Sequence, residues 1–520
     1  MDKITILWAD DEIDLLKPQL LFLRNKGYEV LTVTNGHDAL DECQEANNDI
    51  DVVFLDESMP GLTGLETLSK IKENRPHLPV VMITKNEAET VMEEAIGSQI
   101  TDYLIKPVNP NQILLTLKKI VDNKRLVGEK TSSDYQQEFR QISLDISNNP
   151  NVESWVDIYK KIVNWELKLD AHTSNQMGEI LSMQKTDANR EFSRFVEKNY
   201  QSWLQEGNEE APIMSHNLLR NKVFTELDSS QPSMFLLLDN LRYDQWKVIE
   251  PIISELFKVE EEDTFYSILP TTTQYSRNAI FAGLMPSEIQ EYYPNWWVND
   301  NQEGGKNMHE HDFLREHIGR VFRKPIKFEY IKVTNVNAGK KLVDNAMNYL
   351  NNDLTVVVYN FIDMLSHART EMEVLKELAS DETAYRSLTR SWFLHSPLWT
   401  MLQKIADKGI QLFIGTDHGT IRVNQPSKVI GDRETTANLR YKVGRNLKYE
   451  KKDVLEFRDP AKAFLPRPNV SSSFIFAKED IYFLYPNNYN KFNNYYRNTF
   501  QHGGISLEEI ICPIVKLQSR

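Results

Sequence analysis

QLFIGTDH, residues 411–418, decides how the larger part of this chain folds. It is a short apolar run that stops on an aspartate and a histidine. Two further runs stop the same way: MFLLLD ends at Asp239, and LTVVVYNFID ends at Asp363. Such near-continuous apolar runs suit parallel strands buried on both faces, and ligands of open α/β sheets collect beyond the carboxyl ends of those strands. The runs therefore predict one sheet with Asp239, Asp363, Asp417 and His418 at a shared edge.

Asp363 and His367 are four residues apart, one helical turn if a helix follows the strand. Asp417 and His418 are adjacent, which a strand end turning into a loop can aim at one site. His502, in QHGGIS, adds an imidazole. Carboxylates and imidazoles without thiolate suit zinc, with manganese second. Cys43 and Cys512 are the only cysteines, too few for a disulfide framework or a Cys-rich zinc ribbon. The stretch FYSILPTTTQYSRNAIFAGLMP places three hydroxyls, Thr271, Thr272 and Thr273, at a strand-to-helix turn, where a nucleophile or a helix cap would sit. Arg277, one turn beyond Thr273, is placed either to clamp phosphate oxygens or to form a surface ion pair.

The first 121 residues have another rhythm. Apolar runs at 4–10, 29–35, 51–56, 79–84 and 102–106 alternate with stretches of helix length, which implies a parallel sheet covered on both faces. Asp10, Asp11, Asp56, Thr84 and Lys106 all fall at strand ends. Three carboxylates at one edge call for a hard cation, and oxygen-only ligation suits Mg²⁺. In this reading Asp56 attacks a phosphoryl donor, Mg²⁺ and Lys106 offset the charge, and Thr84 hydrogen-bonds the acyl phosphate. From about 122 to 215 the strand signal disappears. Trp155, Ile158, Ile162, Trp165 and Leu169 make one helical face, and Phe192, Phe195, Val196, Tyr200 and Trp203 a second. These predict a helical connector, read as a spacer or as a lever that senses the first domain.

The formal charge of −15 disfavours a broad grip on duplex DNA. One basic segment, RYKVGRNLKYEKK at 440–452, stands out and could attract a polyanion such as a short oligonucleotide, although charge runs are commonly solvated loops. The histidines of KNMHEHDFLREH (306–317) read as a solvated helix face. No signal-peptide pattern opens the chain and no run is long and apolar enough to span a bilayer, so a cytoplasmic protein without membrane insertion is expected.

The first domain resembles the response-regulator receiver: Asp10, Asp11, Asp56, Thr84, Lys106 and the Lys106-Pro107 pair are in place. That resemblance implies Tyr103 as the switch aromatic and the Ser58 carbonyl as a further Mg²⁺ contact. Asp239, a strand-end hydroxyl, Asp363-x-x-x-His367, Asp417-His418 and His502 occur in the order found in the alkaline phosphatase superfamily, and HGGISLEE is most similar to its PglZ branch. The resemblance implies one zinc on Asp363, His367 and His502, another on Asp239, Asp417 and His418, and a bridging threonine. The phosphodiesterase pattern of Pro, nucleophile and Gly falls on Pro270, Thr273 and Gly283, favouring Thr273 while leaving Thr271 and Thr272 open. The expected layout is a flavodoxin-like receiver (1–121), a helical connector (122–215) and a PglZ α/β domain (216–520). This is similar to the PorX-type response regulators of type IX secretion. It implies a cognate histidine kinase, a sigma factor, a secretion-system component, a nucleotide or oligonucleotide substrate and a phosphorylation-dependent homodimer.

Overall fold

The computed structural model describes all residues except 1–3, 45–49, 77, 86–99, 171–174, 206, 229–230 and 373–380. The chain divides into two compact units, Met1–Ser133 and Asp134–Arg520.

In the first unit the strands are β1 (Thr5–Ala9), β2 (Glu29–Val33), β3 (Val52–Asp56), β4 (Val80–Thr84) and β5 (Asp102–Ile105). All pair in parallel in the order β2-β1-β3-β4-β5. β1, β3 and β4 are buried almost throughout, as expected when helices cover both faces. The expected flavodoxin-like topology is the one observed. Its third helix, Gly64–Asn74, starts in a capping box between Thr63 and Glu66.

The middle of the chain holds three long helices: Pro110–Ser147, Val152–Asp170 and Asn175–Trp203. The sequence faces at 155–169 and 192–203 lie on the second and third. The end of the first adds Tyr135, Ile142 and Ile146 to the same core. This core is continuous with that of the C-terminal sheet, for Phe192 and Trp203 both pack edge-on against Tyr266. Aromatic contacts of this kind bury large apolar area, so the helices from Asp134 onward are part of the second unit's fold and not a detached spacer.

The C-terminal strands are β6 (Ser233–Leu238), β7 (Phe257–Tyr266), β8 (Phe328–Val333), β9 (Leu354–Tyr359) and β10 (Gln411–Gly415), then β11 (Ile421–Arg422), β12 (Gln425–Lys428) and β13 (Tyr441–Gly444). They continue with β14 (Val454–Phe457), β15 (Ser473–Ala477), β16 (Ile481–Leu484), β17 (Phe500–Gln501) and β18 (Ile511–Ser519). The main sheet runs β7-β18-β10-β6-β9-β8. β10, β6, β9 and β8 are parallel neighbours, and β18 is antiparallel to both β10 and β7. β6, β9 and β10 are fully buried, which is why their sequences are apolar without alternation. Their carboxyl ends deliver Asp239, Asp363 and Asp417 to one edge. Among the described residues no helix is long and apolar enough to cross a membrane.

Candidate metal centres and phosphoacceptor site

In the first unit Asp10, Asp11 and Asp56 bring carboxylate oxygens within 4.8 Å of one another. Lys106 Nζ lies 2.9 Å from both Asp10 Oδ2 and Asp56 Oδ1. Burial raises the Asp56 carboxyl above its ordinary value against the pull of Lys106. Burial alone would lower the Lys106 ammonium, but its two carboxylate partners outweigh that and raise it. Thr84 Oγ1 donates to Glu57, beside Asp56. Tyr103 and Ser58 are exposed.

In the second unit two ligand groups form at the sheet edge. Asp363, His367 and His502 make one, and Asp239, Asp417 and His418 the other; within each, ligand atoms lie within 4.8 Å of one another. Asp363 opens the helix Phe361–Glu371 directly after β9, so the four-residue step brings His367 Nε2 to 3.5 Å from Asp363 Oδ1. His502 Nε2 reaches the same oxygen at 3.6 Å. His418 Nε2 is 3.9 Å from Asp239 Oδ1 and from Asp417 Oδ2.

Both inner histidines have their other ring nitrogen engaged by backbone. His418 Nδ1 faces the Gly419 carbonyl at 3.1 Å, and His502 Nδ1 faces the Thr271 carbonyl at 3.3 Å. A carbonyl only accepts, so each Nδ1 carries the proton and each Nε2 keeps its lone pair for a ligand. Burial, reinforced by the neighbouring imidazoles, holds His502 well below the usual histidine range and hence neutral.

The three threonines have different fates. Thr271 Oγ1 donates to the Gly504 carbonyl and accepts from Gly503 N, both at 3.0 Å. Gly503 sits at φ +123° with Thr272 and Tyr441 packed where a Cβ would project, so only glycine fits there. Thr272 Oγ1 is buried without a partner among the described residues. Thr273 Oγ1 lies 3.1 Å from His418 Nε2 and 3.4 Å from Asp239 Oδ1. It opens a π-turn, Thr273–Arg277, that runs into the short helix Asn278–Ala282, at the strand-to-helix turn the sequence suggested.

Arg277 corrects an expectation. It neither faces substrate nor forms a surface pair, because it is fully buried behind the ligands. Its Nε is 2.9 Å from Asp417 Oδ2, its Nη2 pairs with Asp239, and its Nη1 is 3.5 Å from Glu310. One guanidinium thus serves two ligand carboxylates. Burial would raise both, and Arg277 outweighs it at Asp417, taking that carboxyl down to about 2, while Asp239 stays well above its ordinary range.

The basic segment is also different from its sequence reading. Arg440 is fully buried on Glu509, Lys442 is buried with its ammonium donating to the Thr436 carbonyl, and Arg445 pairs with Asp432. Lys448, Lys451 and Lys452 remain exposed. His317 is likewise buried, in ring contact with Phe224, and not on a solvated face. Sequence reading missed Asn240, whose amide N donates to Asp417 Oδ1 at 3.2 Å and whose side chain donates to Asp363 Oδ1 at 3.4 Å. It ties the two ligand groups together from a positive φ of 66°, a conformation asparagine tolerates; an Asn directly after a strand-end Asp was the available signal.

The model of the BREX system PglZ alkaline phosphatase-like domain matches residues 218–517. The chain belongs to the PglZ family. The PorX response regulator linker domain matches residues 125–204 and the response regulator receiver domain residues 6–118, so this PglZ protein has the domain set of a PorX-type response regulator. The transcriptional regulatory protein ZraR of Salmonella typhimurium is 32% identical over 140 residues, covering 27% of this chain and 31% of ZraR. SrrA of Staphylococcus aureus is 25% identical over 143 residues, covering 27% of this chain and 58% of SrrA. The chain therefore matches less than two thirds of the length of these curated relatives. Among solved structures, a receiver domain protein from Clostridium thermocellum is 32% identical, covering 24% of this chain and 98% of its own, with a TM-score of 0.23. CheY4 of Vibrio cholerae is 30% identical over 23% of this chain and 99% of its own, TM-score 0.22. A receiver implies a histidine kinase as phosphoryl source.

Proposed function

We propose that the PglZ domain is a two-zinc phosphodiesterase with Thr273 as nucleophile, controlled by phosphorylation of Asp56 in the receiver. The observation that carries this reading is the Thr273 hydroxyl, set against Asp239 and His418 beside the second ligand group. The residues fit two divalent cations. Asp239, Asp363 and Asp417 crowd one edge beside the buried Arg277, and the His418 and His502 Nε2 lone pairs are available to ligate. Asp363, His367 and His502 would hold one ion and Asp239, Asp417 and His418 the other. Bound there, the ions would supply Lewis acidity and lower the pKa of the nucleophilic hydroxyl.

The rest of the chemistry belongs to the chain. Thr273 Oγ bonds to phosphorus and the displaced alcohol leaves with the hydroxyl proton. Water then attacks the threonine-bound phosphoryl group, releases the product and restores the hydroxyl. Arg277 and Asn240 hold the carboxylates in place through both steps. Nucleotide or oligonucleotide diesters are the proposed substrates; Arg440, Lys442 and Arg445 of the basic segment are engaged within the fold, and Lys448, Lys451 and Lys452 stay exposed. In the receiver, Asp56 takes the phosphoryl group from its donor, Asp10, Asp11, Asp56 and the Ser58 carbonyl would hold a Mg²⁺ ion that offsets the charge, and Thr84 and Tyr103 report the modification. The PorX-type domain set extends the proposal to a cytoplasmic role in type IX secretion, with a sigma factor and a secretion component as partners and dimerisation as the output.

The test is zinc content measured beside hydrolysis of a chromogenic phosphodiester. Thr273→Ala should keep both zinc equivalents and lose turnover by on the order of 10³ or more. Asp363→Ala and His367→Ala should lose one equivalent together with activity. Full activity in Thr273→Ala moves the nucleophile to Thr271 or Thr272, and a zinc-loaded wild type inert to every diester favours a non-enzymatic interaction platform.

A further inference from the structure

The helix Asn175–Trp203 carries a polar stripe on a face that amphipathicity would assign to apolar packing. Lys185, Asn189 and Ser193 follow at four-residue steps, so their side chains rise along one line. Asn189 and Ser193 are buried, and Lys185 is nearly so. All three reach one short segment, residues 505–508, while Lys185 also pairs with Glu166 at 2.9 Å and Ser193 Oγ also accepts from Glu479 N at 3.2 Å. Ser193 Oγ donates to the Ile505 carbonyl at 3.3 Å. Asn189 accepts from Leu507 N at 2.8 Å and donates to Glu508 Oε2 at 3.1 Å. Lys185 Nζ is 2.9 Å from Glu508 Oε1.

His502 lies three residues before that segment. Between His502 and the stripe lie Gly503 and Gly504, which Thr271 grips through its hydroxyl, and His502 itself rests on the Thr271 carbonyl. A second contact reaches the threonine turn from its other side, where Leu269 N donates to Tyr200 Oη at 2.8 Å. Tyr200 lies on the same helix and is buried. The helix therefore grips both the loop that carries His502 and the turn that carries Thr273 through bonds to their neighbours in the chain.

We propose that Asn189, Ser193 and Tyr200 are positioning residues of the metal centre, setting His502 and the 271–273 turn in register through residues 505–508 and Leu269. The proposal rests on the reading of the site as a zinc centre. Buried polar side chains with fully matched partners are worth most where one geometry must be specified, and a ligand misplaced by a fraction of an ångström loses metal affinity. Glycines at 503 and 504 leave this loop little intrinsic stiffness, so its geometry must be imposed from outside.

Asn189→Ala/Ser193→Ala in the full chain removes the stripe's hold. Hydrogen exchange of the chelator-treated protein should show faster exchange across 502–508, with Leu507 N–H losing its acceptor outright. Competition against a chromogenic chelator should show one zinc equivalent loosened by about tenfold to a hundredfold while the other is held. Arg194→Ala, exposed on the same helix, should change neither. Tyr200→Phe keeps the ring and removes only the hydroxyl; it should lower kcat several-fold with KM unchanged, and it serves if the double variant melts non-cooperatively. Wild-type exchange at 502–508 with wild-type affinity for both equivalents overturns the proposal, as does a Tyr200→Phe variant with unaltered kcat and unaltered exchange at Leu269. Exchange and zinc affinity decide the matter even if the wild type turns over no diester, an outcome that would instead remove the hydrolase reading.

Discussion

Replacing Arg277 by methionine leaves Asp239 and Asp417 buried at the sheet edge without their shared guanidinium. The arginine is fully buried, with Asp417 at 2.9 Å and Asp239 in direct contact. Removing one member of such a buried arrangement costs about 3–5 kcal/mol, because the partners are left as uncompensated charge. For a unit larger than 250 residues each kcal/mol is worth roughly 2 °C, so the second unit should melt about 6–10 °C lower in chelator. Zinc narrows the gap. Cations on the same carboxylates supply the missing charge, so the deficit shrinks, and zinc should raise the melting temperature of Arg277→Met by more than it raises that of the wild type. Differential scanning calorimetry of both proteins, with chelator and with excess zinc, reads all four values. A variant melting within about 1 °C of wild type in chelator, or one that zinc stabilises less than wild type, would refute the charge-compensation role.

Asp56→Asn should abolish labelling by a small phosphodonor, since no other carboxylate at that edge is placed both at the end of β3 and against Lys106; surviving label would move the site. A phosphate mimic with Mg²⁺ should shift sedimentation from monomer to dimer at micromolar concentrations, and an unchanged mass would count against a dimeric output. Burial lowers His317 and His216 from near 6.5 to about 4. Each is neutral when folded, so the stability it contributes is whole above pH 6.5 and is lost as pH falls through about 4, up to about 3 kcal/mol per residue. His317→Gln should flatten the acid limb of the melting-temperature profile, and an unchanged slope between pH 6.5 and 4 would show that the residue takes up its proton alike in the folded and unfolded states.

The receiver strands and the three ligand-bearing strands were legible because buried parallel strands write their position as uninterrupted apolar runs and their ends as acids. The clustering of 363 with 367 and of 417 with 418 was legible because each pair is set by local geometry. Arg277 was not, since its partners Asp239 and Asp417 lie 38 and 140 residues away in the chain and nothing local marks it as buried. Arg440 and Lys442 misled for the same reason: Glu509 and the Thr436 carbonyl absorb them after folding. His317 could have been placed, because Glu310, Phe313, Leu314, His317 and Ile318 form the buried face of one helix at regular spacing. The polar stripe on the helix Asn175–Trp203 could not, because its meaning depends on a loop more than 300 residues further along.

β18 lies between β10 and β7 in the main sheet, yet it is the last of those six strands to be synthesised. Until it leaves the ribosome, the long strand β7 and the buried strand β10 each expose an unpaired edge, and His502, just upstream, reaches its fellow ligands only shortly before. The receiver has no such debt, since all five of its strands precede residue 106. During translation the receiver can thus be complete while the PglZ sheet is still open. Nascent chains stalled before 511 should behave as a folded receiver carrying an adhesive, metal-incompetent remainder, the species most in need of a chaperone.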